Sequence, residues 1–193
     1  MKKYIFIITA IITLSCNNSK TIKSDNKKVV KKELRPFFDS DEIDHYYLNF
    51  SDHDFTELIS KNKKTEKEKE LLDIYVFDYP KSVPKVDFEK TLLNHNYKWS
   101  KLSINQQQEI EDVFSEKDSL MNDGYACSAE YRDIFIFKKK EKTIGIAKIC
   151  FECGRFQIIG SKLDTSGFGL WTELDRLRSI VRPNNKKLRT SEP

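Results

Sequence analysis

The first sixteen residues limit what the rest of the chain can fold into. They read MKKYIFIITAIITLSC, which is two lysines, an apolar run of 11 residues and a Ser15-Cys16 pair. A helix that spans a bilayer needs about 20 apolar residues, so this run is too short to cross one. Lysines followed by a short apolar stretch are typical of a secretory signal. We therefore predict a signal peptide over residues 1–15, with the folded domain downstream of it.

The charge of the chain excludes one class of partner. The formal net charge is +4, and Lys2 and Lys3 of the signal supply two of these charges, which leaves about +2. Both signs are mixed along the sequence, as on a solvated surface and unlike a nucleic-acid-binding protein. The remaining length suits one domain with tails. We predict a flexible basic tether over residues 16–40, a single domain over 41–182 and a disordered tail over 183–193.

Apolar spacing and end signals predict five helices. Thr65 and Asp87 suit N-cap positions, and Pro80 suits a helix stop. Ser103 and Gln106 have the spacing of a capping box. The predicted helices cover residues 55–60, 65–79, 87–94, 103–116 and 168–181.

Aromatic and β-branched residues predict the strands. A short strand is expected over residues 43–50. Two longer ones, over 125–137 and 143–151, form a β-hairpin around a charged five-residue turn at 138–142. Residues 155–160 are a candidate third strand of this unit. The predicted fold class is α+β, with helices in the N-terminal half, an antiparallel hairpin or small sheet near the C-terminus, and a closing C-terminal helix.

Three cysteines fall in this region: Cys127, Cys150 and Cys153. If the hairpin turns about Lys140, Cys127 faces Cys153 and Cys150 points to the other side of the sheet. Directly opposed residues have β-carbons about 4.5–5.5 Å apart, close to what a disulfide needs. The pattern favours a Cys127–Cys153 disulfide, with a Cys127–Cys150 disulfide as a variant that requires a bulge.

Two further interpretations of these cysteines stay open, besides that of free thiols. Cys150-x-x-Cys153 is half of a zinc knuckle, to which Cys127 would add a third sulfur. A fourth ligand would then come from one of the histidines His45, His53 and His95. The other interpretation is thiol–disulfide exchange through the C-x-x-C pair, although such sites usually lie at a helix N-terminus. Apart from zinc, no cofactor is expected.

No motif of an established catalytic class is found in the sequence, such as a nucleophile elbow, a zinc-protease helix or a phosphate-binding loop. The run DHD at 52–54 is interpreted as a turn that opens a helix rather than as a metal site. Arg132 lies between apolar positions and is expected to pair with Glu130 or Glu152. The sequence leans away from an enzyme and assigns no catalytic residue.

The Ser15-Cys16 ending resembles the lipobox of bacterial lipoprotein signal peptides. That resemblance implies that Cys16 receives a diacylglyceryl group, that the signal is cleaved before it, and that the new amino terminus is acylated, as with palmitate. Leu14 lies one place later than usual, which is similar to the looser lipoboxes of Bacteroidota. Asn17 resembles a signal for the outer membrane, with the protein facing the periplasm. Two or more acyl chains hold a protein on a membrane without a spanning helix.

The hairpin region carries a second resemblance. Cys127, Arg132 and the run IFIF at 134–137 precede ICFECG at 149–154. This resembles uncharacterised lipoproteins of Bacteroidota that pair a C-x-x-P-R-x-x-I-x-F strand with an I-C-F-x-C strand and end in a short helix. Tyr131 stands where that family usually has proline. The resemblance implies no activity and supplies no catalytic residue.

Together these observations predict a lipid-anchored protein of the bacterial cell envelope. Its partners would be the membrane, through the lipid, and an unknown protein or small-molecule ligand, but no nucleic acid. The expected role is that of a binding or interaction module. An extracytoplasmic thiol-redox or zinc-binding protein is one alternative, and an immunity-type lipoprotein that neutralises a toxin is the other.

Overall fold

The computed structural model describes residues 34–85, 87–117 and 127–183. The predicted signal peptide, Cys16 and most of the predicted tether lie outside these ranges, as does nearly all of the predicted C-terminal tail. Among the described residues, no helix combines the length and the apolar character needed to cross a membrane.

The described strands form one antiparallel sheet in the order β2-β1-β3-β4-β5. Their bounds are β1 Glu42–Tyr47, β2 Lys98–Ser100, β3 Asp133–Lys139, β4 Lys142–Ile149 and β5 Phe156–Ile159. The α+β class is confirmed, but the predicted arrangement is wrong, because the hairpin β3–β4 lies inside the sheet and the N-terminal strand β1 pairs with β3. The reason is that β3 is buried on both faces, and such a strand belongs in the interior of a sheet.

Three of the described helices begin at the predicted caps, whereas the last begins at Trp171 rather than at residue 168, and the second ends at Tyr75 rather than just before Pro80. The bounds of the helices are α1 Asp52–Ser60, α2 Glu66–Tyr75, α3 Phe88–Asn94, α4 Ile104–Val113 and α5 Trp171–Val181. Thr65 and Asp87 are the N-caps of α2 and α3, and Ser103 forms a capping box with Gln106. The run at 52–54 opens α1, where Asp54 completes a capping box with Ser51.

Helices cover both faces of the sheet. One apolar cluster joins α2 and α3 to Ile134, Ile136 and Ile146. The other joins α4 and α5 to Phe135, Phe137 and the opposite side of β4. The alternation of side chains along β3 therefore divides the core into two layers, with the sheet between them.

The folded domain begins at an earlier residue than the sequence predicted. Phe37 and Phe38, assigned above to the tether, are both only 4 % exposed. The Phe38 ring stacks on Phe137 with 4.2 Å between centroids, and a β-carbon at Gly145 would lie 2.1 Å from it. Pro36 also forms an isolated bridge with Ser115. The domain therefore includes these residues, and the absence of a side chain at Gly145 makes room for one of them.

The hairpin register also differs from the prediction. Lys140 and Glu141 alone form the turn, with φ of 49° and 64°, so the strands extend to Lys139 and Lys142. A hairpin that turns about Lys140 would put Phe137 opposite residue 143, but Phe137 pairs with Gly145, and the register shifts directly after it. The charged residues at the end of β3 remain in the strand because their ammonium groups form ion pairs with carboxylates. Those of Lys138 and Lys139 lie against Asp44, Glu89 and Asp39.

Candidate functional site

A tight turn at the end of β4 holds two of the three cysteines together. The Gly154 N–H donates to the Cys150 carbonyl oxygen at 2.8 Å, and the Cys150 N–H donates to the Arg155 carbonyl oxygen at the same distance. Gly154 has a φ of 75°, in the left-handed region that glycine adopts without strain. This turn carries Cys153 back over Cys150.

The sulfur atoms of Cys150 and Cys153 are 2.8 Å apart. That is well beyond the 2.03–2.05 Å of a disulfide bond, and all three described cysteines are free. The prediction that Cys150 points away from Cys153 is therefore wrong. It failed because β4 ends at Ile149, so the alternation of a strand does not continue through the cysteines.

Cys127 lies at the same turn without being part of a strand. Its thiol is 3.6 Å from the Cys153 carbonyl oxygen, and its own carbonyl oxygen accepts a 3.0 Å hydrogen bond from the Arg155 guanidinium. The predicted strand over 125–137 starts only at Asp133, so the predicted cross-strand pairing with Cys153 does not exist. The three thiols nevertheless meet, because a loop brings Cys127 there.

Burial is the main influence on the Cys153 thiol. It raises the pKa of Cys153 above the usual range, and hydrogen bonds with the side chains of Cys127 and Cys150 raise it further. Cys150 is 2 % exposed, whereas Cys127 and Cys153 are half-buried. Reduced Cys153 is therefore protonated at neutral pH, unlike the activated thiolate of a catalytic C-x-x-C pair.

The histidines considered as zinc ligands are engaged elsewhere or exposed. His45 is buried against Asp133 at 3.0 Å, and His95 Nε2 lies 2.8 Å from Glu70. His53 is on α1 with its side chain 86 % exposed. Over the described ranges, no group of three or more histidine, cysteine or acidic side chains is arranged to hold a metal ion.

Arg132 forms the expected ion pair. Its guanidinium lies 2.7 Å from the Glu130 carboxylate and 3.0 Å from that of Asp52 on α1. Glu130 also accepts a hydrogen bond from the Tyr75 hydroxyl. Arg132 therefore links the start of β3 to two helices.

One buried group beside the thiols was missed from the sequence. Lys148 of β4 is fully buried, and its ammonium donates to the carbonyl oxygens of Phe77 and Tyr79 at 2.5 and 2.8 Å. It lies 4.3 Å from the centre of the Tyr131 ring, which packs with Cys150. Burial lowers the pKa of Lys148 to about 7. An isolated lysine within the apolar run IGIAKIC is the signal that would have pointed to it.

An open groove of about 790 Å³ lies at the turn end of the hairpin. Four separate segments line it: the chain before β1, the loop before α3, the β3–β4 hairpin and the loop after β5. Its apolar lining comes from Pro36, Phe37, Phe38, Val83, Ile144 and Leu163. A second cavity of about 800 Å³, bordered by Lys90 and Glu141, is lined mainly by charged residues.

Cations border the apolar groove. Arg35 and Lys139 lie on its rim but are paired with Glu116 and Asp39 respectively. Lys162 also lines the groove, and among the ion pairs of the described residues none includes it. The groove thus combines an apolar lining with one uncompensated positive charge.

Comparison of the chain with models of protein families, with curated proteins and with solved structures finds no match in any of the three.

Proposed function

We propose that this chain is a lipoprotein of the bacterial cell envelope whose α+β domain binds a small apolar or amphipathic ligand in the groove beside Phe38. The observation that carries the proposal is the groove itself. Its volume falls within the range of about 300–1,000 Å³ that small-molecule sites occupy, and such sites combine apolar walls with a few polar groups. Lys162 supplies a polar group that would orient a ligand.

The two basic terminal segments of the chain are poor occupants of this groove. Residues 20–35 and 182–193 both carry an excess of lysine and arginine. Lys162, the uncompensated cation of the groove, would repel them at close range. A separate molecule, neutral or anionic at one end, is the better match.

The anchor is proposed from the signal sequence, with Cys16 as the lipidated residue and the periplasmic face of the outer membrane as the location. The segment between Cys16 and Leu34 would reach about 60 Å at most when fully extended. The domain would therefore stay close to the membrane surface. The groove, built partly from residues 35–39, would lie where this tether joins the domain.

The groove is tested with 1-anilinonaphthalene-8-sulfonate, an amphipathic anion that fluoresces in apolar surroundings. We expect saturable binding to the wild-type protein. Leu163→Glu, which removes part of the apolar wall and puts a carboxylate beside Lys162, should weaken binding of this anion at least tenfold. Ile59→Glu, on exposed α1, is the matched control and should bind like the wild type. If both variants bound the probe with the same affinity, and their thermal melting were unchanged, the proposed site would be contradicted.

The anchor is tested by growing the native host with an alkyne analogue of palmitate. We expect the label on the wild-type protein in the membrane fraction, and no label on a Cys16→Ala variant. An unlabelled wild-type chain of uncut mass in the cytosol would contradict the proposed location without bearing on the groove.

A further inference from the structure

We propose that Cys127, Cys150 and Cys153 form a thiol–disulfide exchange site in which Cys153 is the shared member of two alternative disulfides. Cys127 receives the oxidising equivalent from an external disulfide, and the Cys150–Cys153 disulfide is the end product. This proposal is independent of the groove and of its ligand.

The position of Cys153 between the other two thiols carries the inference. Its sulfur lies 2.8 Å from that of Cys150, and the Cys127 thiol lies 3.6 Å from its carbonyl oxygen. A disulfide needs only a short approach of the sulfurs from here, since α-carbons of a C-x-x-C turn can reach the usual 4.4–6.8 Å. No equivalent contact joins Cys127 to Cys150 among the hydrogen bonds of the described residues.

Exposure distinguishes Cys127 from Cys150 as the thiol that reacts first. Cys150 is 2 % exposed, whereas Cys127 is half-buried on a loop, so a disulfide arriving from solvent reaches Cys127 more readily. The Arg155 guanidinium, 3.0 Å from the Cys127 carbonyl oxygen, holds this loop at the turn. The raised pKa of Cys153 agrees with this order, since a protonated thiol is a poor first nucleophile.

The steps balance as follows. The Cys127 thiolate attacks an external disulfide, forms a mixed disulfide and releases one thiolate. The sulfur of Cys153 then attacks Cys127, gives its proton to solvent and releases the second thiolate, which leaves Cys127–Cys153. Finally Cys150 attacks Cys153, loses its proton, and Cys127 leaves as a thiolate and regains a proton. Two protein thiols are oxidised in total, and one external disulfide is reduced to two thiols.

The test uses the full chain with Cys16→Ser, so that only these three cysteines remain. Reduced protein is exposed to oxidised glutathione, quenched with acid, alkylated and digested with trypsin. Cleavage after Lys148 and Arg155 puts Cys150 and Cys153 in one peptide, while cleavage after Lys117 and Arg132 puts Cys127 in another. The two alternative disulfides are therefore distinguished by mass alone.

We expect early samples to carry glutathione on Cys127, and late samples to contain the 149–155 peptide with an internal disulfide and Cys127 alkylated. Cys150→Ser should stop at Cys127–Cys153. Cys127→Ser should still form the final disulfide, at least tenfold more slowly. Cys153→Ser should keep glutathione on Cys127 and form no internal disulfide.

Three results would overturn the proposal. They are early glutathione on Cys150 or Cys153 of the wild type, a Cys127–Cys150 disulfide in Cys153→Ser at the wild-type rate, and protection of all three thiols by one equivalent of bound zinc. Early mapping of the wild type needs no variant, so the proposal stays falsifiable even if a substitution prevents folding.

Discussion

Lys148 lies in the interior of β4, with its side chain fully buried between the sheet and the loop that follows α2. Its ammonium bridges the carbonyl oxygens of Phe77 and Tyr79. Burial lowers its pKa to about 7, and the carboxylates of Asp78 and Asp73 oppose that change. Lys148 therefore holds this loop against the sheet, and its burial there favours the neutral form of its side chain.

The pH dependence of stability should report this burial. Between pH 7 and 9 the unfolded chain, with a lysine pKa of 10.5, holds a proton that folded Lys148 has lost. The free energy of unfolding of the wild type should therefore rise relative to Lys148→Met, by up to about 1.4 kcal/mol per pH unit. Urea titrations of both proteins across this range measure it. Parallel curves would mean that the two carbonyls keep the ammonium charged.

At the scale of elements, three helix starts were predictable, and the hairpin turn was predicted at the right place but with the wrong length. The caps Thr65, Asp87 and Ser103 act locally, through a side chain and a backbone N–H three residues away, so the sequence alone reveals them. The two-residue turn carries no glycine or asparagine to mark it. The strand β2 was missed because Lys98–Ser100 is exposed throughout and has no apolar alternation.

Replacing the turn should stabilise the hairpin. Lys140 and Glu141 both adopt left-handed φ, which costs a residue with a β-carbon about 1–2 kcal/mol relative to glycine. Lys140→Asn with Glu141→Gly matches the preferred sequence of such turns and should raise the free energy of unfolding by about 1 kcal/mol. Chemical denaturation provides the measurement. Glu141→Pro is the opposing control, because its ring excludes a positive φ, and it should destabilise the protein. A neutral or destabilising Asn-Gly pair would contradict the assigned turn.

At the scale of the whole molecule, the chain before β1 is part of the core. Phe38 packs on Phe137 and over Gly145, so Phe38→Ala should leave a cavity and lower the free energy of unfolding by about 3–5 kcal/mol. Phe77→Ala is the control, since Phe77 is 59 % exposed and its truncation should change stability by less than about 0.5 kcal/mol. If urea denaturation gave Phe38→Ala and Phe77→Ala the same stability, residues 36–38 would belong to the tether and not to the folded domain.

The candidate site, which comprises the cysteine cluster and the groove, was predictable only in part, because both are formed by segments that are distant in the sequence. The cysteines were identified from their spacing, and they do converge, but their partners depend on where β4 ends and how the loop before β3 returns. The groove was not predictable at all. Pro36, Val83, Ile144 and Leu163 come from four segments, and no local pattern relates them.

The place of β1 in the sheet also governs when the chain can fold during its synthesis. His45 of β1 meets Asp133 of β3 across 88 residues, so the first strand to leave the ribosome waits for a neighbour that is made much later. Until then its aromatic side chains have no core to enter. Most of the polypeptide must therefore emerge before the domain closes, and the time its synthesis takes sets a lower limit on how long β1 stays unpaired.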